Sequence, residues 1–414
     1  MRKSSKLVFF FLLIFMCCAC AQRRGARQRR GMEGAANIVK LMEAGQFQEA
    51  AMKMERFLSR PKASKKDSLK AMRNLAICYT ALERWKDAKN AYNWLALNDK
   101  KDEITWRELA RIVAEPKTGL KTEHLPSQVN SIDGEIMPVI SPDGKTLYFI
   151  VDHDGNQDIY ISSTDEDGKW TERKAIGPPL NTEFSDGILS AMPDGNTVLL
   201  NGIYRANGTR DAGFSISHNL GDTWSFPEKV EIDDYYNRNR YTSACLASNG
   251  KTLILALERD EGYGDLDLYV CFRKDDGKFS EPKNLGSTIN TDGTDGTPFL
   301  APDGVTLYFS SDGHPSLGNA DMFFARRLDD TWTNWSFPKN LGKELNTVGW
   351  DAYYTIPAAG KYVYYVSSGK DAIGATDIFK LELPEEAQPK PVVTIEGTIT
   401  DETGDFVSAN IKYE

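Results

Sequence analysis

The chain has 414 residues, a hydrophobic fraction of 41% and a formal net charge of −9. Its length allows two or three domains at roughly 150 residues each, and its ordinary composition is typical of globular proteins. A nucleic-acid-binding domain would carry an excess of basic residues, so the negative charge argues against a nucleic acid as partner.

Residues 1–20 have the pattern of a secretory signal: a basic start, an apolar run from Leu7 to Met16, and then small or thiol residues. The apolar run is too short to span a bilayer, which takes about 20 residues. The segment resembles the leader of a bacterial lipoprotein, in which the cysteine after the cleavage point is acylated. This resemblance implies Cys20 as the lipidated residue, with Cys18 and a plain cleaved leader as the alternatives.

Residues 21–31 contain five arginines. We expect them to form a tether that is either solvated or in contact with anionic headgroups, at roughly 1 kcal/mol for each arginine. Positive charge directly after an apolar run also opposes translocation.

Residues 32–114 have apolar residues at helical spacing, and small residues mark the points where helices would cross. Ala88 is followed four positions later by Tyr92, and Met72 and Trp106 are one period of 34 residues apart (106 − 72). These features resemble tetratricopeptide repeats, with an unrelated helical bundle as the alternative. The resemblance predicts two helix hairpins, a lone first helix of a third repeat that caps the stack, and a concave groove that docks a partner.

A hairpin signal occurs five times after this helical region. It combines an apolar run, a tight turn containing Gly, and an alternating β-rich run, as in residues 140–150 (ISPDGKTLYFI). Counted on the turn glycines, the steps are 51, 55, 54 and 56 residues (195 − 144, 250 − 195, 304 − 250, 360 − 304). The repeating turn residues are Asp143, Gly144, Asp194, Gly195, Gly250, Asp303, Gly304 and Gly360.

A second repeating position predicts a third strand, because an aspartate precedes another strand-like stretch in each period. These aspartates are Asp158, Asp211, Asp267, Asp321 and Asp377. A fourth strand follows, with an aromatic residue, a Ser or Thr and usually a proline. Four short strands in each period of ~40–55 residues indicate propeller blades. The predicted fold class is therefore α + β and multidomain, with a short helical stack followed by a five-bladed β-propeller over residues 115–384.

The last blade contains only three strands of its own. The stretch from Val129 to Ser131 resembles short motifs that lie between later blades, such as Leu180-Asn181-Thr182. We therefore expect residues 120–130 to supply the missing outer strand and to close the ring, which removes its free edges.

Beyond the propeller, residues 385–391 read as a linker rich in Pro, Glu and Lys. Residues 392–414 resemble the beginning of a carboxypeptidase-regulatory-like β-sandwich. They are too few for a complete one, which needs about seven strands. The sequence is therefore expected to be a piece of a longer protein.

The hairpins and the strands that follow them resemble the propeller repeats of TolB-like proteins over residues 134–383. The order of leader, helical repeats, propeller and regulatory-like start resembles PorE-type outer-membrane lipoproteins of the type IX secretion system. This resemblance implies a scaffold that is not an enzyme, is lipid-anchored in the outer membrane and faces the periplasm. Its partners would be envelope or secretion-system proteins. Peptidoglycan binding would belong to an OmpA-like domain absent from this sequence, and a TolB-like role in envelope maintenance is the alternative function.

No catalytic residue, cofactor or metal site is predicted. The five aspartates before the third strands are expected to form structural hydrogen bonds within turns, with metal ligation as the alternative. Asp186, Asp295 and Asp351 precede the presumed innermost strands and are either a negative rim of the channel or ordinary turn residues. The four histidines (His124, His153, His218 and His314) have no paired spacing, which argues against zinc. The body cysteines Cys78, Cys245 and Cys271 are expected to be free, buried thiols.

An enzymatic alternative comes from residues 217–224 (SHNLGDTW), which resemble the Asp box of sialidase propellers with Asn219 at the key position. A sialidase also needs arginines that hold the substrate carboxylate in its central pocket. The presumed innermost strands contain no arginine in residues 135–141, 187–192, 241–247, 297–301 and 352–357. The sequence therefore disfavours a sialidase-like glycosidase.

Overall fold

The computed structural model describes residues 37–60, 63–153, 155–367 and 372–393. The leader with Cys18 and Cys20, the arginine-rich tether and residues 394–414 lie outside these ranges. Within them, no helix combines the length and the apolar character needed to cross a membrane.

Five helices form the first part of the described chain. They are α1 (37–43), α2 (Phe47–Leu58), α3 (Lys65–Ala81), α4 (Trp85–Asn98) and α5 (Glu103–Ala114). The chain reverses between α1 and α2 at Gly45 and between α3 and α4 at Glu83, and both residues have left-handed backbones (φ 68° and 53°). Ala50 and Ala88 are fully buried where the helices meet, because a small side chain lets two helices approach closely.

The propeller has five blades of antiparallel strands. Blade 1 contains β2 (Gly134–Ile140), β3 (Thr146–His153), β4 (Asn156–Ser163) and β5 (Lys174–Ala175). Blade 2 contains β6 (Ile188–Ala191), β7 (Thr197–Tyr204), β8 (Arg210–His218) and β9 (Glu228–Lys229). Blade 3 contains β10 (Ser243–Leu246), β11 (Thr252–Leu257), β12 (Asp267–Phe272) and β13 (Lys283–Asn284). Blade 4 contains β14 (Asp295–Leu300), β15 (Thr306–Ser311), β16 (Asp321–Arg326) and β17 (Lys339–Asn340).

Blade 5 is assembled from both ends of the propeller. Its own strands are β18 (Tyr362–Ser367) and β19 (Asp377–Glu382), and its outermost strand is β1 (Thr122–His124), which pairs antiparallel with β19. Its innermost segment is reduced to a bridge between Thr355 and Tyr364. The ring therefore closes through a segment that precedes blade 1.

One asparagine per junction fastens four of the five blade boundaries. Asn130 accepts a hydrogen bond from the Ile378 amide at 2.8 Å and donates to the Ile378 carbonyl at 2.9 Å, across 248 residues of sequence. The same pair of bonds joins later blades, through Asn181 on Ile159, Asn290 on Leu268 and Asn346 on Met322. The motif that recurs between blades therefore supplies an asparagine whose side chain is hydrogen-bonded to the third strand of the preceding blade.

Segment 385–391, expected as a linker, lies against blades 4 and 5. Arg326 donates to the carbonyl oxygens of Glu386 at 2.8 Å and of Gln388 at 3.1 Å. The Lys390 amide donates to Asp303 at 3.0 Å, within the turn of blade 4. These bonds hold the segment on the propeller surface.

The helices contact the propeller through blade 4 and the loop after it. Leu317 is fully buried in one cluster with Tyr92 of α4 and Ile112 of α5. Lys343 donates to the Val113 carbonyl at 2.7 Å, and its ammonium lies 4.6 Å from the centre of the Trp85 ring. Helix α5, expected to cap a free end of the stack, therefore has its carboxyl end against the propeller.

Candidate functional site

The two faces of the ring differ in the loops that form them. Because strands within a blade are antiparallel, the Pro-Asp-Gly turns all lie at one end of the ring, which we call the turn face. The loops that lead into the innermost strands lie at the other end, which we call the loop face (residues 131–133, 182–187, 231–242, 291–294 and 341–350, with the loops at 204–209, 258–266 and 312–320). Leu317 and Lys343 belong to this set, so the helices contact the loop face.

The innermost strands surround an axial channel with a cavity of about 60 Å³. Residues from all five blades line it, and none of the lining side chains is charged. A water needs roughly 10–15 Å³ of such space, and an apolar cavity of about 150 Å³ holds benzene. The channel therefore admits a few waters or the tip of an aliphatic side chain, but it is too small for a sugar ring.

Three non-glycine residues lining the channel have left-handed backbones: Met137 (φ 51°), Thr297 (φ 43°) and Tyr353 (φ 61°). Met137 and Thr297 lie at irregularities in the pairing of β2 with β3 and of β14 with β15. Such a backbone costs roughly 1–3 kcal/mol per residue and clusters at functional sites in proteins. In blades 1, 4 and 5 these are the lining residues nearest the loop face, and we call this end of the channel the mouth.

Small polar side chains fasten neighbouring innermost strands to one another. Ser243 accepts a hydrogen bond from the Thr297 amide, Ser190 from the Leu246 amide and Thr355 from the Ile140 amide, at 3.0, 3.0 and 3.1 Å. Cys245 accepts one from the Leu300 amide at 3.4 Å. The channel wall is therefore held in place before any ligand arrives.

Two exposed aromatic residues, which we call the aromatic rim, lie next to channel-lining residues on the loop face. Trp350 is 54% exposed and meets Tyr353 edge to face, with ring centroids 5.4 Å apart. Tyr241 is 42% exposed, and the Arg240 guanidinium lies 4.5 Å from the centre of its ring. None of these residues was among the site residues predicted from the sequence. The one sequence feature that could have indicated them is the stretch 233–241 (DDYYNRNRY), which takes the place of the Asn-Thr motif found at other blade junctions.

Asp186, Asp295 and Asp351 do not form a charged rim, because all three are buried. Each carboxylate accepts the backbone amide of a threonine four residues earlier, at 2.6, 2.6 and 2.7 Å for Thr182, Thr291 and Thr347. The structure thus favours the second alternative of the sequence analysis, in which they are turn residues.

The aspartates before the third strands bind the loops that precede them. Asp321 accepts the Leu317 amide at 2.9 Å, and Asp377 accepts the Ile373 amide at 2.9 Å. Asp267 does the same for Tyr263, whereas Asp211 is exposed and pairs with Arg205, and Asp158 is half-buried. Among the described residues, no group of three or more His, Cys, Asp or Glu side chains could hold a metal ion.

The hairpin turns have the geometry that their residues predict. Asp143, Asp194 and Asp303 each accept the amide of the residue two positions later, at 3.0, 2.8 and 2.9 Å. The turn glycines (Gly144, Gly195, Gly250, Gly304 and Gly360) all have positive φ between 64° and 75°, where a side chain would be strained.

Two blade junctions neutralise their buried acids and two do not. Arg210 lies 2.9 Å from Asp186, and Arg173 lies 3.7 Å from Glu135. Among the described residues, no basic side chain pairs with Asp267 and Asp295 at the junction of blades 3 and 4, or with Asp321 and Asp351 at the next one. Burial raises the pKa of Asp295 and of Asp321 to about 7. The pKa of Asp351 is raised well above its ordinary value, by burial and then by the nearby Asp321 carboxylate.

The remaining polar candidates lie apart from one another. His124 bonds Asp377 at 2.5 Å, His153 bonds the Tyr160 hydroxyl at 3.1 Å, His218 bonds Thr197 at 3.1 Å and His314 bonds the Ile289 carbonyl at 2.9 Å. Cys78, Cys245 and Cys271 are buried free thiols. In the sialidase-like stretch, Asn219 closes a tight turn by accepting the Gly221 amide at 2.8 Å.

No protein-family model and no curated protein matches this chain. Among solved structures, TolB from Acinetobacter baumannii is similar at 15% identity and a TM-score of 0.38, over 62% of this chain and 56% of TolB. The chain thus spans little more than half the length of that protein. A putative TolB from Agrobacterium tumefaciens is similar at 18% identity and a TM-score of 0.36, over 61% of this chain and 80% of that one. The propeller resembles TolB.

The similar structures also include enzymes. The α-L-arabinofuranosidase PaAbf62A from Podospora anserina matches at 12% identity and a TM-score of 0.43, over 64% of this chain and 97% of the enzyme. The expectation that the chain is not an enzyme, which came with the resemblance to scaffold lipoproteins, is therefore wrong, because the similar solved structures include glycoside hydrolases.

Proposed function

We propose that this protein is an envelope scaffold that docks a partner protein on its helical stack, which the propeller holds in a set orientation. The observation that carries the proposal is the contact of the stack with the loop face through Leu317 and Lys343. A stack bound in this way presents its uncovered surface at one angle to the ring. A partner helix would meet a preformed surface and lose less freedom on binding than on a mobile stack.

Helix α3 provides the uncovered surface. Asn74, Ile77 and Ala81 follow one another at helical spacing, are half-buried, and belong to neither of the two clusters that form the core of the stack. We call these three residues the α3 strip. Helix pairs spaced like tetratricopeptide repeats bind helices or extended peptides along such strips.

The cellular setting is part of the proposal. The leader and Cys20 support a lipid anchor in the outer membrane, and the order of segments supports a place in a type IX secretion machine, facing the periplasm. An anchor raises the effective concentration of a modest docking site near its envelope partners. Recovery of Tol-type envelope proteins in place of secretion components would assign the TolB-like alternative.

Replacing Ile77 with arginine should abolish capture of the docked partner, because a charged side chain on the α3 strip would have to be desolvated on docking. The matched control is Leu97→Arg, since Leu97 is 67% exposed on the neighbouring helix α4. Chemical crosslinking in intact cells followed by mass spectrometry measures the partners of each variant. Equal recovery of the same partners with both variants would refute docking on the strip. Deletion of the helices is a poorer test, because it would also uncover Leu317.

Replacing Cys20 with serine should abolish incorporation of fatty acid and release the protein from the membrane fraction. A serine hydroxyl in place of the thiol removes the acylated atom. Metabolic labelling with an alkyne-tagged palmitate measures the outcome, and Cys18→Ser is the matched control that should keep its label. Loss of the label in the Cys18 variant alone would move the anchor to that residue.

A further inference from the structure

We propose that the mouth of the axial channel is a second binding site, for an acidic peptide segment of a partner protein that inserts one apolar side chain into the channel. The site comprises the channel end at Met137, Thr297 and Tyr353 and the rim residues Trp350, Tyr241 and Arg240. It is separate from the α3 strip and does not depend on the function proposed for that strip.

The channel determines what the peptide inserts. Its cavity of about 60 Å³ has no charged lining residue, so a charged side chain entering it would lose its hydration without gaining a partner. An aliphatic tip would gain contacts with Met137 and with Phe299, which also lines the cavity. The wall does not have to rearrange, because bonds such as that from the Thr297 amide to Ser243 already connect the innermost strands.

The aromatic rim provides the contact area around the inserted side chain. Trp350 and Tyr241 keep 54% and 42% of their surface exposed, although their rings are held by Tyr353 and Arg240 respectively. Trp, Tyr and Arg are the residues that most often dominate binding energy at interfaces. Rings already held in place lose little freedom when a partner covers them.

The charge of the rim determines the chemistry of the peptide. Several basic residues of blade 3 and of the loop before it are neutralised by carboxylates: Arg238 by Asp260, Arg259 by Asp234 and Glu261, and Lys274 by Asp233. Arg240 differs, because among the described residues its guanidinium contacts the Tyr241 ring and pairs with no carboxylate. It precedes Ser243, a residue of the channel lining, by three positions, or at most about 10 Å of extended chain. A carboxylate beside the inserted side chain can therefore reach it.

The test is selection of a random 12-residue peptide library, displayed on phage, against the immobilised full chain. We expect recovered peptides to combine Asp or Glu with a neighbouring Leu, Ile, Met or Phe. Arg240→Glu and Trp350→Ala should each weaken a recovered peptide at least about tenfold, measured by fluorescence anisotropy, a loss typical of interface anchors. The Ile77→Arg variant should bind the peptide normally, which separates this site from the α3 strip.

Matched controls lie on the same propeller, away from the mouth. Arg273→Glu reverses another arginine that lies over an aromatic ring and has no carboxylate partner among the described residues. Phe337→Ala removes an aromatic ring that is 86% exposed. Both control variants should bind the recovered peptide with an affinity within about twofold of the wild type. Absence of enrichment, enrichment of basic peptides, or equal affinity in the mouth variants would overturn the proposal. Self-association of the chain that Trp350→Ala abolishes would assign the mouth to a second copy, and would overturn it too.

Discussion

Replacing Asn130 with alanine should lower the free energy of unfolding by about 2–5 kcal/mol. The Asn130 side chain is buried and satisfies both the amide and the carbonyl of Ile378, and it also donates to the Leu125 carbonyl at 2.9 Å. Removing it takes the side-chain partner from the Ile378 amide and from the Leu125 carbonyl, at roughly 1–3 kcal/mol for each group, while the Ile378 carbonyl keeps a hydrogen bond from the Leu125 amide at 3.2 Å. Urea unfolding of the variant and the wild type, followed by tryptophan fluorescence, measures the loss.

The matched control for ring closure is Asn346→Ala, which removes the same pair of bonds from Met322 inside the ring. We expect a comparable loss of stability from both variants but different patterns of hydrogen exchange. Only Asn130→Ala should raise exchange in β1 and β19, where the two ends of the propeller meet. A free energy of unfolding within about 0.5 kcal/mol of the wild type, or unchanged protection of β19, would show that Asn130 does not hold the ring closed.

Stability should fall as pH rises from 5 to 8, and Asp321→Asn should reduce this fall. Burial raises the pKa of Asp321 from its ordinary 3.8 to about 7. The folded state therefore retains a proton on Asp321 that the unfolded chain releases above pH ~4. The stabilisation from this proton is complete below pH ~4 and is lost as pH rises through the pKa of Asp321 in the folded state. At about 1.4 kcal/mol per pKa unit, the contribution of Asp321 alone is on the order of 4 kcal/mol.

Asparagine suits this position because the two carboxylate oxygens of Asp321 differ. One accepts the Leu317 amide at 2.9 Å and the Asn340 side chain at 2.6 Å, while the other is buried without a hydrogen-bond partner. An amide keeps the first oxygen and removes a charge that faces the Asp351 carboxylate. At pH 8 the variant should therefore be more stable than the wild type, as measured by thermal unfolding across the pH range.

The control for this pH effect is Asp329→Asn on the surface. Hydrogen bonds from Thr331 and Asn334 lower the pKa of Asp329, so this carboxylate stays ionised from pH 5 to 8. Its loss should leave the pH profile unchanged over that range. A wild-type profile that is flat between pH 5 and 8, or one that Asp321→Asn does not alter, would contradict a proton retained at Asp321.

The sequence by itself determined the blade count, the turns and the segment that closes the ring. Turn chemistry is local: a glycine such as Gly144 needs a positive φ wherever its hairpin lies, and Asp143 bonds an amide only two residues away. Repetition of these local signals at a regular step reveals the array. The short motif around Asn130 predicts the closing strand because it is also repeated: its copies at other blade junctions make the same hydrogen bonds.

Only the tertiary structure decided where the mouth lies and which acids are left without a cation. Met137, Thr297 and Tyr353 come from three different blades and line one channel, which no spacing along the chain indicates. The repeated aspartates look alike in sequence, yet Asp211 is exposed beside Arg205 while Asp321 is buried near Asp351. Exposure and pKa depend on all the groups that surround a side chain in space, and in a closed ring many of those groups come from distant parts of the chain.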